Sequence, residues 1–296
     1  MATILSIQHL SKSYGNVRAL NDVSFDVPPG TVFGILGPNG SGKTTLLGIT
    51  MDILRADSGS YRLLDEVPTA TQRKQIGSLL ETPNFYHYLT AVQNLRIAAA
   101  IKERGKDDIE RVLKIVNLWE RRNSAFSTFS LGMKQRLAIG AALLGNPEVL
   151  VFDEPTNGLD PVGIAEIREL IKRLRHEGKT IIMASHLLDE VEKVCTHVAI
   201  LKKGQLITHG DVNEILASED IVEISASDNA SLKKVLTSFP GYSSLKEQDH
   251  MIQLYFPLGA ADLEAVNRFC FNNGVVLNHL HAKKKSLEAK FFELTN

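Results

Sequence analysis

The chain has 296 residues, 44% of them apolar, with 33 basic against 34 acidic side chains and a formal net charge of −1. That composition suits a packed α/β core, and the length suits one large domain plus a smaller one; the balanced charge excludes a general attraction to nucleic acid. The longest apolar stretches, residues 137–144 and 149–152, fall far short of the ~18 residues that mark a membrane-crossing helix.

The opening Met1-Ala-Thr-Ile-Leu-Ser has neither the basic nor the long apolar region of a signal peptide. Cys195 and Cys270 sit in apolar helical patterns and read as reduced core residues of a cytosolic protein. Residues 4–7 and 23–27 alternate apolar and polar side chains, which predicts strands of a small antiparallel layer. Pro28-Pro-Gly30 then turns the chain into residues 32–36, a short buried strand, and residues 45–49 begin an apolar helix. Between them lies Gly37-Pro38-Asn39-Gly40-Ser41-Gly42-Lys43-Thr44, followed by Thr45, a match to G-x-x-x-x-G-K-S/T. Backbone must wrap an anion there; Gly40 and Gly42 keep side chains out of the way of the N–H groups. The following helix adds its positive N-terminal end. In such a loop Lys43 reaches the β- and γ-phosphates, and the Thr44 hydroxyl ligates Mg²⁺.

Residues 84–146 are mostly helical in pattern, with apolar residues at three- and four-residue spacing in 95–101 and 109–118. Residues 149–152 form a continuous apolar run, as in a buried parallel strand, and end in Asp153-Glu154. Acids directly after such a strand sit at its carboxyl end, where open α/β sheets bind ligands. Residues 164–175 read as a helix, 180–184 as another buried strand, 187–194 as a helix and 198–201 as the last core strand, with a turn at Lys203-Gly204. The alternation predicts a parallel sheet with crossover helices. Composition shifts near Ala217-Ser-Glu-Asp220. Beyond it, strands at 221–225, 244–247, 251–256 and 275–279 and helices at 231–239, 261–273 and 286–294 follow a βαββαβ order, as in a ferredoxin-like layer. His279 and His281 share one strand face there; without a third ligand nearby they read as ordinary residues.

With these motifs in place the chain resembles, over residues 1 to about 217, the ATP-binding subunit of an ABC transporter. The resemblance implies a P-loop NTPase parallel sheet with an antiparallel β layer and a helical subdomain (about 84–146), plus a small α+β domain at 218–296. It implies ATP and Mg²⁺ as ligands, with Asp153 and Thr44 on the metal and Glu154 as the base that polarises the attacking water. It gives Ser130 and Gly132, in Phe129-Ser-Leu-Gly-Met-Lys-Gln-Arg136, the role of contacting ATP on the opposite subunit. The family pattern here is L-S-G-G-Q; Leu131 replaces the first glycine and Met133 the glutamine. Ser130 also suits the N-cap of a helix over 131–144. His186 matches the switch histidine, Asn157-Gly-Leu-Asp160 the loop between subunits, and Tyr14 the aromatic that stacks on adenine. The family usually carries glutamine after the strand at 76–80; this chain has Glu81, an added negative charge beside the triphosphate and a further candidate Mg²⁺ contact. Glu81, the long C-terminal extension and Ser-Leu-Gly-Met-Lys-Gln-Arg-Leu are similar to the subgroup that serves bacitracin and lantibiotic self-protection.

The resemblance implies a homodimer, or a pair with a closely related ATPase subunit. That pair would energise a separate membrane permease from the inner face of the cell membrane, as an exporter. The other reading, a soluble ABC ATPase acting on ribosomes or DNA, usually comes with two cassettes in one chain or long coiled-coil insertions, and this sequence has neither. A regulatory subunit without turnover would not need Glu154 and His186.

Overall fold

The computed structural model describes residues 3–80, 84–216, 219–248, 250–283 and 286–295; Glu81 lies outside them. The chain divides into two compact units, Met1–Gly210 and Asp211–Asn296. The first begins with the hairpin β1 (Leu5–Tyr14) and β2 (Val17–Val27), then β3 (Val32–Leu36), α1 (Lys43–Thr50), β4 (Ser58–Leu63), α2 (Ala70–Lys74) and β5 (Gly77–Leu79). Helices α3 (Ala91–Lys102), α4 (Ile109–Ile115) and α5 (Leu131–Leu143) follow. Then come β6 (Val149–Asp153), α6 (Pro161–His176), β7 (Thr180–Ser185), α7 (Leu188–Val194), β8 (His197–Lys202) and β9 (Gln205–Asp211).

The six-stranded sheet has the order β5-β6-β7-β3-β8-β9, with parallel pairing from β5 through β8. β3, β6 and β7 are buried at every position, as strands covered on both faces must be, which is why they read as unbroken apolar runs. A second, antiparallel sheet has the order β2-β1-β4. Its inner residues Leu5, Ile7, Leu20 and Phe25 share one core with Leu46, Leu47 and Ile49 of α1 and with Val151 and Ile182 of the parallel sheet. Phe25 stacks on Phe33 at 5.4 Å between centroids, fastening the two sheets together.

The strands of this layer run longer than the alternation at 4–7 and 23–27 predicts. Register shifts between Ile7 and Leu10, Leu10 and Lys12, and Lys12 and Ser13 break the period of two while pairing continues. β4 and β9 escape the pattern for another reason: in β4 only Leu63 is fully buried, and in β9 no position is.

The helix α6 shows how local sequence fixes an element. Asp160 caps it, its carboxylate accepting from the Gly163 N–H at 2.8 Å, and Pro161 occupies the first turn, where no N–H is needed. Ile167, Leu170, Ile171 and Leu174 recur at three- and four-residue spacing and are buried, each worth about 1.5–3 kcal/mol of hydrophobic transfer. Arg173, Arg175 and His176 lie in the last turn, where cations suit the carbonyl end.

The second unit holds α8 (Val212–Leu216), β10 (Glu219–Ala226), α9 (Asn229–Leu236), β11 (Ser244–Gln248), β12 (Met251–Pro257), α10 (Leu263–Asn272), β13 (Leu277–Lys283) and α11 (Leu287–Thr295). Its antiparallel sheet has the order β11-β12-β10-β13, the strand order of a ferredoxin-like layer. Val222, Ile224, Ile252, Leu254 and Phe256 pack on Leu232, Leu236, Val266 and Cys270 of the helices. β13 starts two residues later than the pattern at 275–279 predicts, because the Val275 N–H bonds the Cys270 carbonyl and closes α10. His279 and His281 do share a strand face, with ring centroids 6.1 Å apart. Among the described residues no cluster of three metal-ligating side chains forms.

Candidate active site

Three neighbouring strands deliver the site. In the order β6-β7-β3, Asp153 pairs with Ala184 and Ser185 with Leu36. The Asp153-Glu154 pair, the Ser185-His186 pair and the loop that starts at Gly37 therefore leave the sheet at one edge, the carboxyl ends of parallel strands.

The loop wraps onto α1. A methyl group on Gly42 would lie 2.3 Å from the Ala19 carbonyl oxygen of β2, and one on Gly37 would lie 2.4 Å from Ser41 Oγ. No side chain fits at either position, so the backbone itself forms the wall. The Gly204 N–H bonds the Ser41 carbonyl and the Asn21 N–H bonds the Gly204 carbonyl, so the turn before β9 clamps the loop to β2. Pro38, Asn39 and Gly40 form an exposed crown, and Thr44 and Thr45 stand in the first turn of α1. No side chain caps that turn, whereas α3, α5 and α6 are capped by Thr90, Ser130 and Asp160. The first turn of α1 thus presents N–H groups and a positive dipole end outward. The Ser41 hydroxyl is buried without a hydrogen-bond partner, as suits a donor built for a ligand oxygen.

Lys43 is 6% exposed. Its ammonium donates to the Gly37 carbonyl at 2.8 Å and the Pro38 carbonyl at 3.3 Å, and stands 3.7 Å from Glu154 Oε1. The other oxygen of Glu154 lies 2.9 Å from His186 Nδ1. One carboxylate therefore bridges the loop lysine and the histidine, a link that sequence spacing does not reveal. Glu154 holds a left-handed backbone, φ 49°, fixed by its N–H bond to the Ala184 carbonyl at 3.0 Å. Such a conformation costs about 1–2 kcal/mol in a residue with a side chain and is often found at functional positions.

Asp153 is 4% exposed, directly before Glu154. Its carboxylate and the Thr44 hydroxyl are hard oxygen donors, the chemistry Mg²⁺ takes, and few protein ligands suit an ion that keeps waters and phosphate oxygens. Tyr14 ends β1 with its ring 47% exposed and the Lys12 ammonium 5.6 Å from the ring centre. Lys12 is itself anchored to Asp57 at 2.8 Å, and that salt bridge holds the Asp57 carboxyl below the usual carboxylate range.

Among the described residues no hydrogen bond joins Ser130, Gly132 or Asp160 to this cluster. Ser130 Oγ accepts from the Met133 N–H at 3.3 Å at the exposed start of α5, and Asp160 is engaged in capping α6. Besides the Glu154 bridge, two features escaped the sequence reading: Thr156, whose buried hydroxyl has no hydrogen-bond partner, and the packing of Leu131 beside Gly158. Thr156 lies between motifs, and the contact of Leu131 with Gly158 joins two motifs 27 residues apart, so spacing displays neither.

A family model described as ABC transporter matches residues 20–157. The bacitracin transport ATP-binding protein BcrA of Enterococcus faecalis is 34% identical over 99% of this chain and 97% of its own length. The lantibiotic transport ATP-binding protein SrtF of Streptococcus pyogenes is 37% identical over 75% of this chain and 95% of its own. Among solved structures, a dimeric ATP-binding cassette in a post-hydrolysis state with ADP and phosphate superposes with a TM-score of 0.63 at 26% identity, covering 70% of this chain and 98% of that one. Fold, phosphate loop and relatedness along nearly the whole length agree: the chain belongs to the ABC transporter family, as an ATP-binding subunit whose ATP hydrolysis is coupled to transport.

Proposed function

We propose that two copies of this chain, or one copy and a closely related subunit, close around two ATP molecules and so drive a separate membrane permease in export. The observation that carries the reading is the bridge from Lys43 through Glu154 to His186. A buried ammonium resting on backbone carbonyls is ready to exchange them for β- and γ-phosphate oxygens, which carry full charge. That exchange also loosens Lys43 from Glu154 and leaves the carboxylate, still oriented by His186, to accept a proton from the attacking water. Thr44 and Asp153 would hold Mg²⁺, which supplies charge compensation at the phosphate oxygens; Glu81 is a further candidate contact. Backbone N–H groups of residues 37–45, the Ser41 hydroxyl and the α1 N-terminus complete the phosphate cradle, and Tyr14 offers its ring to adenine. Ser130, Gly132 and Asp160 would contact the opposite subunit's ATP, consistent with the exposure of Ser130 and Leu131 at the α5 N-terminus.

In this reading hydrolysis and phosphate loss weaken the electrostatic bridge and the pair reopens. The exposed aromatics Tyr86 and Tyr88, beside a shallow groove with Phe85, Ile97 and Ile101, offer the permease an apolar seat on the helical region of residues 84–146. No helix among the described residues is long and apolar enough to cross a membrane, so attachment through a permease accounts for membrane location. Relatedness to the bacitracin and lantibiotic transport proteins makes an antibiotic of the bacitracin or lantibiotic kind the cargo class we favour. Residues 218–296 would be an accessory domain.

The test is a tagged Glu154→Gln chain recovered from native membranes with and without ATP and read by mass spectrometry. A multi-spanning protein co-purifying with it, and an ATP-dependent dimer in solution, are the expected results. Recovery of ribosomal or DNA-bound partners with no membrane protein would overturn the reading.

A further inference from the structure

We propose that Leu131 is a positioning residue: it locks the N-terminus of α5 to the loop 156–160 of the same chain, so that both move as one piece. This rests on the reading above, in which both segments face the second subunit's nucleotide. The two segments interlock by size. A methyl group on Gly158 would lie 3.2 Å from Leu131 Cδ2, and one on Gly132 would lie 4.0 Å from Leu159 Cδ2. A Leu-Gly pair therefore meets a Gly-Leu pair, each leucine lying over the other segment's glycine. Gly158 takes φ 74°, which lets the loop turn its bare α-carbon toward Leu131.

The loop is joined at both ends to groups with assigned roles. The Asn157 N–H bonds the Glu154 carbonyl at 3.1 Å, and Asp160 caps α6. Leu159 also faces the start of α6, where a methyl on Gly163 would lie 3.4 Å from Leu159 Cβ. Leu131 thus sits one packing contact from the segment that carries Glu154 at one end and Asp160 at the other. Leu131 is 47% exposed. Glycine in its place, as in the family pattern, would leave the loop without this brace. The leucine replaces conformational freedom in the loop with a short-range apolar contact.

The experiment uses the full-length chain with Leu131→Ala, Leu159→Ala, the double variant and Leu131→Met. Hydrogen exchange of residues 155–160 is followed without nucleotide, and steady-state ATPase rates are measured in parallel. Each alanine should speed exchange of the loop by ~3–10-fold, without lowering the global unfolding midpoint, because the brace governs a local opening. kcat should fall by a similar factor with KM unchanged. The effect in the double variant should fall short of the product of the two singles, since the two contacts fasten the same pair of segments, and Leu131→Met should restore both readouts. Unchanged exchange in Leu131→Ala, or single effects that multiply in the double, would overturn the brace. Faster exchange with unaltered kcat would overturn its positioning role. Ser130→Ala separates this from the reading beneath it: normal turnover in that variant sinks the trans role of α5 while the exchange result stands.

Discussion

The two units of this chain satisfy their polar groups in opposite ways. On the sheet face of the second unit opposite α9 and α10, Tyr255 donates to Gln253, Gln253 donates to Glu223, and Lys283 pairs with Glu223 at 2.8 Å. Lys283 and Gln253 hold the Glu223 carboxyl below its ordinary range, and no buried side-chain polar atom among the described residues of this unit lacks a partner. The proposed nucleotide site of the first unit leaves the Ser41 and Thr156 hydroxyls buried without partners, an uncapped helix start and a strained Glu154. A region that closes its own hydrogen bonds is built for stability. One that leaves them open carries a cost of about 1–3 kcal/mol per group, recovered when a ligand arrives.

That contrast can be broken at either end. Glu154→Gln should lower kcat by ~10²–10⁴-fold while nucleotide still binds, as expected for loss of a positioned base; rapid turnover of the purified variant would remove Glu154 from that role. Lys43→Ala should weaken ATP binding by ~10²-fold in equilibrium titration, the scale of one or two charge-assisted hydrogen bonds. Leu232→Ala, in the core of the second unit, should cost about 2–5 kcal/mol of that unit's stability in denaturant unfolding and leave nucleotide affinity untouched. A parallel loss of ATP binding would show that the two regions are not separable.

Lys102 gives a smaller, pH-dependent test. Its ammonium caps the end of α5 at the Ala141 and Ala142 carbonyls, and burial, helped by the charge of Arg104, pulls its pKa down to about 8. Above that pH the folded chain releases this proton while the unfolded chain keeps it to about 10.4. The unfolded state then binds more protons, so Lys102 makes stability rise with pH through that window, by up to ~3 kcal/mol, and that gain is lost as pH falls through 8. Lys102→Met should flatten the rise. The smallest effect concerns strain: Glu154→Gly should be more stable than Glu154→Ala by ~1 kcal/mol, because only glycine takes φ 49° without cost.

Much of the fold and of the candidate site was legible in the sequence because the groups proposed to bind phosphate are contiguous. Residues 37–44 must be consecutive for backbone N–H groups to converge, and Asp153-Glu154 must follow an unbroken apolar strand to reach the same sheet edge. The βαββαβ order of the second unit was legible for a similar reason, since each element carries its own period. β4 and β9 were not, because strands with little fully buried surface show no apolar alternation. The 2.9 Å contact between Glu154 and His186 spans 32 residues, and the seat of Leu131 on Gly158 joins a helix start to a loop through shape alone. No local pattern encodes either.

The placement of sulfur has a practical consequence. The chain holds two cysteines, and the division into units puts one in each: Cys195 after α7 and Cys270 in α10, both buried and unbridged. Burial raises the pKa of both thiols, so little reactive thiolate is present at neutral pH. A methyl on Gly34 would lie 3.0 Å from Cys195 Sγ, so that sulfur is wedged against β3. A thiol reagent must therefore wait for each unit to open. Its two labelling rates, separated by peptide mass, form a pair of native clocks that time the breathing of each half of the wild-type chain with no engineered probe.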